Sequence, residues 1–188
     1  MPALVRVFRR RMTSGQDARV PSLRRSASFG PGEYVSANGI EDFRQKTPKN
    51  SVEIAKLLLD AGAEVNAESD AYGGRPTTLR LTATSCHPEA AGLSIPLMEL
   101  LISRGAPVDA KDESFDGTPL EWALYAWGNA SERAARGDYY EVVALLVRAD
   151  ATLKSQWLEV DDEHRRRAVR KLRSDPRMLA ALRGEMPR

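Results

Sequence analysis

Apolar side chains recur with helical spacing in three similar segments of the chain. The segments contain LLLDAGAEVNA, LLISRGAPVDA and LLVRADATLKS, which begin at Leu57, Leu100 and Leu145, so that the spacings are 43 and 45 residues. Each begins within an amphipathic segment whose apolar residues, three or four positions apart, share one face of a helix. The pattern therefore predicts one amphipathic helix in each segment.

Residues that typically begin and end helices lie around these segments. Gly62 and Gly105 follow the first two helices, where a left-handed turn is expected and glycine adopts it at least cost. Asp150 takes the same place in the third copy, a poorer but tolerated choice. We expect Ser51 to cap the first helix and Pro96 to lie in the first turn of the second. In the first two copies, the glycine that ends the helix is followed within four residues by an aliphatic side chain and then by Asn or Asp. This pattern predicts a short extended arm with a turn.

A second phrase recurs upstream of the amphipathic helices. DGTPLEWAL aligns with the earlier RPTTLRLTA when Thr118 is placed on Thr77, and a fainter version is GPGEYVSANG, residues 30–39. A threonine followed by Pro119 is typical of the start of a helix, because proline fits its first turn. Each phrase therefore predicts a short helix.

The complete unit of turn, short helix, connection, longer helix, glycine and arm resembles the ankyrin repeat family. The resemblance is carried by GTPLEWA, Gly117 to Ala123, and by the three Leu-Leu…Gly-Ala…Val-Asn/Asp-Ala phrases, and it covers roughly residues 30–155. Glu121 and, in the previous copy, Arg80 stand where the family motif has His. The resemblance implies an all-α fold: a helical repeat solenoid of about three repeats, with long inter-helix loops and a C-terminal helical cap.

The period of the units is longer than the family's. Ankyrin repeats have about 33 residues, and 43 to 45 falls in the range of about 40–47 that HEAT and armadillo repeats occupy. The Gly-Ala-x-Val-Asn/Asp-Ala arm argues against HEAT repeats. The extra length falls in IEDFRQKTPKN, CHPEAAGLS and GNASERAARGD, polar segments that predict exposed loops between the two helices. A 40-residue helical repeat with ordinary loops remains the alternative.

Charge is unevenly distributed along the chain. The net charge of +2 divides into +6 for residues 1–30, −8 for residues 31–150 and +4 for residues 151–188. Residues 1–29 form a basic tail that we expect to be disordered. A nucleic-acid or kinase-substrate patch and an organellar targeting stretch remain alternatives for it.

Residues 156–188 are predicted to form capping helices, because the last repeat of a stack must cover apolar surface and present a polar side to water. DEHRRRAVRKLRS predicts a helix with a basic outer face and with Val169 and Leu172 directed inward. A basic face that binds an acidic partner is the alternative. The second helix should have Asp175 as its cap, Pro176 in its first turn, an apolar face of Met178, Leu179 and Leu182, and Gly184 as its stop.

Residues for catalysis and metal binding are few. The chain has two histidines, His87 and His164, and one cysteine, Cys86, which is the sequence neighbour of His87. The acidic run DDE at 161–163 lacks the glycine and alternation of a calcium loop and is expected to begin a helix. AYGGRP lacks the Lys-Ser/Thr ending of a phosphate-binding loop. We therefore expect no enzyme, no cofactor and no metal site.

The single cysteine favours a reducing, cytoplasmic location. No apolar run approaches the roughly 20 residues that cross a bilayer, and no apolar segment of a secretory signal follows the basic N-terminus, so we expect no membrane association. We expect a monomer. A fragment of a longer repeat protein remains an alternative.

The resemblance also implies a place for binding. Partners of ankyrin repeats usually meet the concave side, formed by the arm tips and the first helices. The position after the usual His is Tyr34, Leu81 and Trp122 in the three copies, where apolar anchors would form an interface hot spot. The alternative is that loops bury them or that they pack on each other. The predicted partner-binding residues are Tyr34, Leu81, Trp122, Arg80, Glu121, Asp70, Tyr72, Asp112 and Phe115.

These observations predict a non-enzymatic protein-protein interaction module whose partner the sequence does not identify. The alternative is association with nucleic acid or another acidic partner through the basic N- and C-terminal segments.

Overall fold

The computed structural model describes residues 49–68, 74–84, 92–130, 138–159 and 162–186. Within these ranges the chain forms seven α-helices and one 3₁₀-helix and has no β-strand, which confirms the all-α prediction for this part of the chain. None of these helices is long and apolar enough to span a membrane. The helices are α1 (Ser51–Asp60), α2 (Thr78–Thr84), α3 (Ser94–Ser103), α4 (Pro119–Asn129), α5 (Asp138–Arg148), the 3₁₀-helix (Ser155–Leu158), α6 (Glu163–Ser174) and α7 (Pro176–Ala181).

The helices lie in two rows. In the first row α4 packs between α2 and α6, and in the second row α3 and α5 pack between α1 and α7. Helices that follow each other along the chain belong to different rows, and the pairs α2–α3, α4–α5 and α6–α7 pack across the rows. The fold therefore consists of successive helix pairs, each of which contacts the next.

The second-row helices end in the same way. Gly62, Gly105 and Asp150 have φ angles of 83°, 84° and 67°, so the predicted left-handed turns are confirmed. In each case the backbone N–H of the next residue donates to a carbonyl five residues upstream, a bond that closes helix C-termini. These bonds join Ala63 to Leu58 (2.9 Å), Ala106 to Leu101 (3.0 Å) and Ala151 to Leu146 (3.0 Å). The three phrases of the sequence thus occupy equivalent places.

The end of α7 has the same geometry. Gly184 has a φ of 75°, and the backbone N–H of Glu185 donates to the Ala180 carbonyl at 3.1 Å. Ala180 follows its counterpart Leu146 by only 34 residues, because Asp175 alone joins α6 to α7. The greater spacing of the earlier helix pairs therefore lies in the connections between their two helices.

The first-row helices begin alike. Thr118 Oγ1 accepts the Glu121 backbone N–H at 3.3 Å, while Glu121 Oε2 accepts the Thr118 N–H at 3.0 Å, so the two residues form a capping box before Pro119. Thr77 accepts the Arg80 N–H at 3.3 Å at the start of α2. The sequence alignment of Thr118 with Thr77 thus corresponds to equivalent structural positions.

The core lies between the rows and extends into the predicted cap. Leu79, Leu120 and Leu146 have no exposed surface, and Val169 and Leu172 of α6 are buried as predicted. Complete burial of each such aliphatic side chain contributes about 1.5–3 kcal/mol.

The first row is closely packed where α4 meets α6. A Cβ atom added to Gly128 would lie 2.2 Å from the Cβ atom of Ala168, far inside van der Waals contact. The two helices approach this closely because glycine has no side chain.

Two predictions about the helices were wrong. Ser51 does not cap α1: it is the first helical residue, and Asn50 occupies the N-cap position. Leu179 is 39% exposed, whereas Ala181 is buried, because α7 packs through Met178 and Ala181, three residues apart. The predicted N-terminal tail (1–29), the first copy of the short-helix phrase (30–39) and the Cys86–His87 pair lie outside the described residues.

Candidate interaction surface

Three aromatic rings lie side by side at the start of α4. The ring centroids of Phe115 and Trp122 are 5.4 Å apart, and those of Trp122 and Tyr125 are 5.5 Å apart, both edge to face. We call Phe115, Trp122 and Tyr125 the aromatic strip. Phe115 is 56% exposed, while the other two are half-buried, so the strip offers one outward ring supported by two anchored rings.

Asp112 fixes the position of the strip. Its carboxylate Oδ2 accepts a hydrogen bond from Trp122 Nε1 at 2.5 Å, and its Oδ1 accepts the backbone N–H groups of Ser114 (3.1 Å) and Phe115 (2.8 Å). The residue is only 4% exposed, and these three neutral donors replace the water that its carboxylate loses on burial. One carboxylate therefore holds both the loop that carries Phe115 and the indole against which Phe115 packs.

Two glycines leave room for this arrangement. A Cβ atom on Gly117 would lie 2.5 Å from Trp122 Nε1, and one on Gly74 would lie 3.2 Å from Asp112 Oδ1. The Gly74 carbonyl also accepts the backbone N–H of Glu113 at 3.0 Å. The loops before α2 and α4 thus contact each other beside the strip.

Arg80 contacts one face of Trp122. Its guanidinium carbon lies 4.2 Å from the Trp122 ring centroid, and its side chain is almost wholly buried. A desolvated cation–π contact of this kind stabilises by about 2 kcal/mol. Arg80 therefore links α2 to α4 beneath the aromatic strip. The sequence analysis placed Arg80 among the partner-binding residues, but its side chain is buried and not available to a partner.

The strip continues to α6 through Tyr125. The Tyr125 and His164 ring centroids are 6.2 Å apart, and Asn129 Nδ2 donates to the carbonyls of Tyr125 (2.8 Å) and His164 (3.2 Å). Burial raises the pKa of the Tyr125 phenol, and the nearby Asp162 carboxylate raises it further. Tyr125 consequently favours the neutral phenol and forms the end of the strip that contacts α6.

Charged side chains next to the strip are paired. Arg75 binds Glu68 and Glu113, each at 2.8 Å. Lys111 contacts Asp116, and this hydrogen bond raises the pKa of the lysine and lowers that of the aspartate. Exposed pairs of this kind contribute little to stability, but they form a polar rim.

Several predicted partner-binding residues have structural roles. Leu81 is buried in α2, and Glu121 is buried by the capping box. Asp112 is buried as well, so none of these three can meet a partner directly. The burial of Leu81 and Asp112 depends on distant neighbours that the sequence does not show, whereas the Thr-x-x-Glu spacing of Thr118 and Glu121 was a local signal for the capping box. Tyr34, Asp70 and Tyr72 lie outside the described residues.

Of the predicted partner-binding residues, Phe115 and Trp122 thus remain candidates for contact with a partner. The structure adds Tyr125, which the sequence analysis did not name. Tyr125 follows Trp122 by three residues on a helix, a spacing that places two side chains on one face. That spacing was the signal that the sequence prediction missed. Trp122 packs on Phe115 and Tyr125, whereas the alternative had Tyr34, Leu81 and Trp122 packing on each other, and Phe115 stays accessible.

Among the described residues, no group of three or more His, Cys, Asp or Glu side chains could hold a metal ion. Comparison of the chain with protein-family models, with curated proteins and with solved structures gives no significant match. Fold type and function are therefore inferred from this chain's own residues.

Proposed function

We propose that the chain is an ankyrin-type helical repeat protein that acts as a non-enzymatic protein-binding module. Three equivalent second-row helix ends, the matching starts of α2 and α4, and the two rows of helices support the repeat architecture. The last helix pair supports it further, because its spacing of 34 residues is close to the family's period of about 33.

The exposure of the Phe115 side chain is the main support for the proposed function. Its ring is largely exposed although the loop that bears it is held by a buried carboxylate and its inner edge is packed on Trp122. Such preorganisation lowers the entropy lost when a partner binds. Aromatic residues in rigid settings are frequent hot spots of protein interfaces.

The partner in this proposal inserts an apolar side chain against Phe115 and the accessible edges of Trp122 and Tyr125. The ion pairs of Arg75 with Glu113 and of Lys111 with Asp116 would surround this contact and exclude water from it. Affinity would come mainly from the strip, with the rim adding orientation.

Binding without catalysis is supported by how the nearby acidic groups are used. Asp112 accepts three hydrogen bonds from its own loop and from Trp122, and Glu121 caps its own helix. The single cysteine of the chain favours a reducing, cytoplasmic setting for this module.

The proposal is tested by affinity capture from cell lysate followed by mass spectrometry. Phe115→Ala should lose the specific partner by about tenfold or more. Leu158→Ala, which removes an exposed apolar side chain on the 3₁₀-helix, is the matched control and should retain it. Capture of the same proteins by wild type and Phe115→Ala would refute the aromatic strip as the binding surface.

A further inference from the structure

Helix α6 has one strongly basic side. Arg166, Arg167, Arg170 and Arg173 are all exposed, and we call them the α6 arginine face. The opposite side of the helix is buried and contains Ala168, Val169 and Leu172. The helix is therefore divided into a packed apolar side and a solvent side in which arginines outnumber the single exposed acid, Glu163.

The α6 arginine face is directed away from the rest of the first row. Ala168 contacts α4 at Gly128, and at about 100° per residue Arg166, Arg170 and Arg173 all lie within about 40° of the opposite direction. Helix α6 itself packs against α4, α7 and the 3₁₀-helix. Arg166, Arg170 and Arg173 consequently face away from α4, at the end of the row that the described helices form, and Arg167 lies to one side of them.

Among the described residues, Glu163 forms ion pairs with two of these arginines. Glu163 binds Arg166 at 3.3 Å and Arg170 at 3.2 Å. Two nearby aspartates bind other groups instead. Asp162 and Asp175 each accept backbone N–H groups at the start of a helix. Asp175 also accepts a hydrogen bond from the Tyr140 hydroxyl at 2.8 Å. The face therefore keeps a net positive charge.

The lysine of α6 is used differently from the arginines. Lys171 Nζ lies 4.2 Å from the Trp127 ring centroid and donates to the Trp127 carbonyl at 2.9 Å. Its burial lowers its pKa. The exposed cations of α6 are thus all guanidinium groups, whose planar donors bind phosphate oxygens in pairs, which an ammonium cannot do.

A capping role does not require this composition. The end of a helical stack must be polar, but alternating charges would satisfy that need. Arginines one helical turn apart that share no acidic partner among the described side chains, such as Arg170 and Arg173, repel each other and weaken the helix. A row of like charges that costs helix stability indicates an anionic partner.

We propose that the α6 arginine face binds the phosphodiester backbone of nucleic acid. Arg166 and Arg173 are separated by about 10 Å along the helix axis, whereas the charges of one strand recur about every 3.4 Å along a duplex, so each guanidinium can reach a different phosphate. This site lies apart from the aromatic strip and does not depend on the proposed protein binding.

The test measures binding of a fluorescent 20-base-pair duplex to the full-length chain by anisotropy. The variant Arg166→Gln/Arg170→Gln/Arg173→Gln should bind about tenfold or more weakly, and its plot of log affinity against log salt should be shallower by about two to three. Glu163→Gln should bind more tightly than wild type, because it removes one negative charge from the face and releases Arg170 from its ion pair.

The matched control removes the same charge from the second row and its flanking turns. Arg104, Arg148 and Arg183 bind Asp60, the Gly184 carbonyl and Glu185 respectively, so their triple replacement by Gln should change affinity less than about threefold. Circular dichroism confirms that both triple variants are folded. Equal losses in the two, or no loss in the α6 variant, would overturn the site. Competition by polyglutamate as strong as by unlabelled duplex would overturn nucleic acid as its ligand.

Discussion

Asp112 and Trp122, ten residues apart, are joined by a hydrogen bond of 2.5 Å from the indole Nε1 to the carboxylate Oδ2. The other carboxylate oxygen accepts backbone N–H groups of the loop that carries Phe115. A single buried side chain thereby connects the folding of the loop to the placement of the exposed aromatic ring. Damage to this contact should affect stability and partner binding together.

Asp112→Ala should lower the free energy of unfolding by about 2–4 kcal/mol, because it leaves two backbone N–H groups and an indole N–H without their acceptor. Urea denaturation measures the loss. Phe115→Ala is the control, since the exposed ring should contribute no more than about 0.5 kcal/mol. A similar small effect in both variants would contradict the structural role of Asp112.

Substitutions at two equivalent helix ends, Asp150→Gly and Gly105→Asp, should change the free energy of unfolding in opposite directions. Asp150 has a φ of 67° without being glycine, so Asp150→Gly should stabilise the chain by about 0.5–1 kcal/mol. Gly105→Asp should destabilise it by a similar amount, because Gly105 has a φ of 84°. Thermal unfolding measured for both variants checks the pair, and changes of the same sign would contradict the equivalence of the two turns.

Gly128→Ala should destabilise the chain by about 1–3 kcal/mol, because the added methyl group would overlap Ala168 and separate α6 from α4. Hydrogen exchange of the α6 backbone amides would show the separation directly. The double variant Gly128→Ala/Ala168→Gly relieves the overlap with the Ala168 Cβ atom but not the overlap with its Cα atom, which the added methyl group would approach to 2.4 Å. It should therefore lose less stability than the sum of the two single variants. An additive double variant would show that the two helices do not meet at these residues.

Tyr125 should make stability depend on pH in the alkaline range. Its pKa is raised above the ordinary value of 10.0 by burial, so the folded state favours the neutral phenol. The associated stability is fully present below the unfolded pKa and is lost as pH rises through the folded one. Urea denaturation of Tyr125→Phe at several pH values from neutral to above 10 should show a smaller alkaline loss than wild type. Identical pH profiles would refute this contribution.

The helices could be predicted from the sequence because their signals are local. The left-handed glycines Gly62 and Gly105 and the Thr118–Pro119 start each depend on a few adjacent residues. The site was less predictable, because burial depends on which helices become neighbours. Leu81 and Trp122 occupy matching positions after Thr77 and Thr118, yet only Trp122 reaches the surface. The contact of Asp112 with Trp122 arises from a loop whose path no periodic pattern describes.

Asp175 alone suffices to join the two rows at the last helix pair, whereas the earlier pairs use much longer connections. Because neighbouring pairs stack through their helices, the length of these connections is not needed to hold the rows together. Evolution can therefore lengthen, shorten or rewrite those segments while the scaffold keeps its geometry. New recognition specificity could be acquired there without redesigning the core.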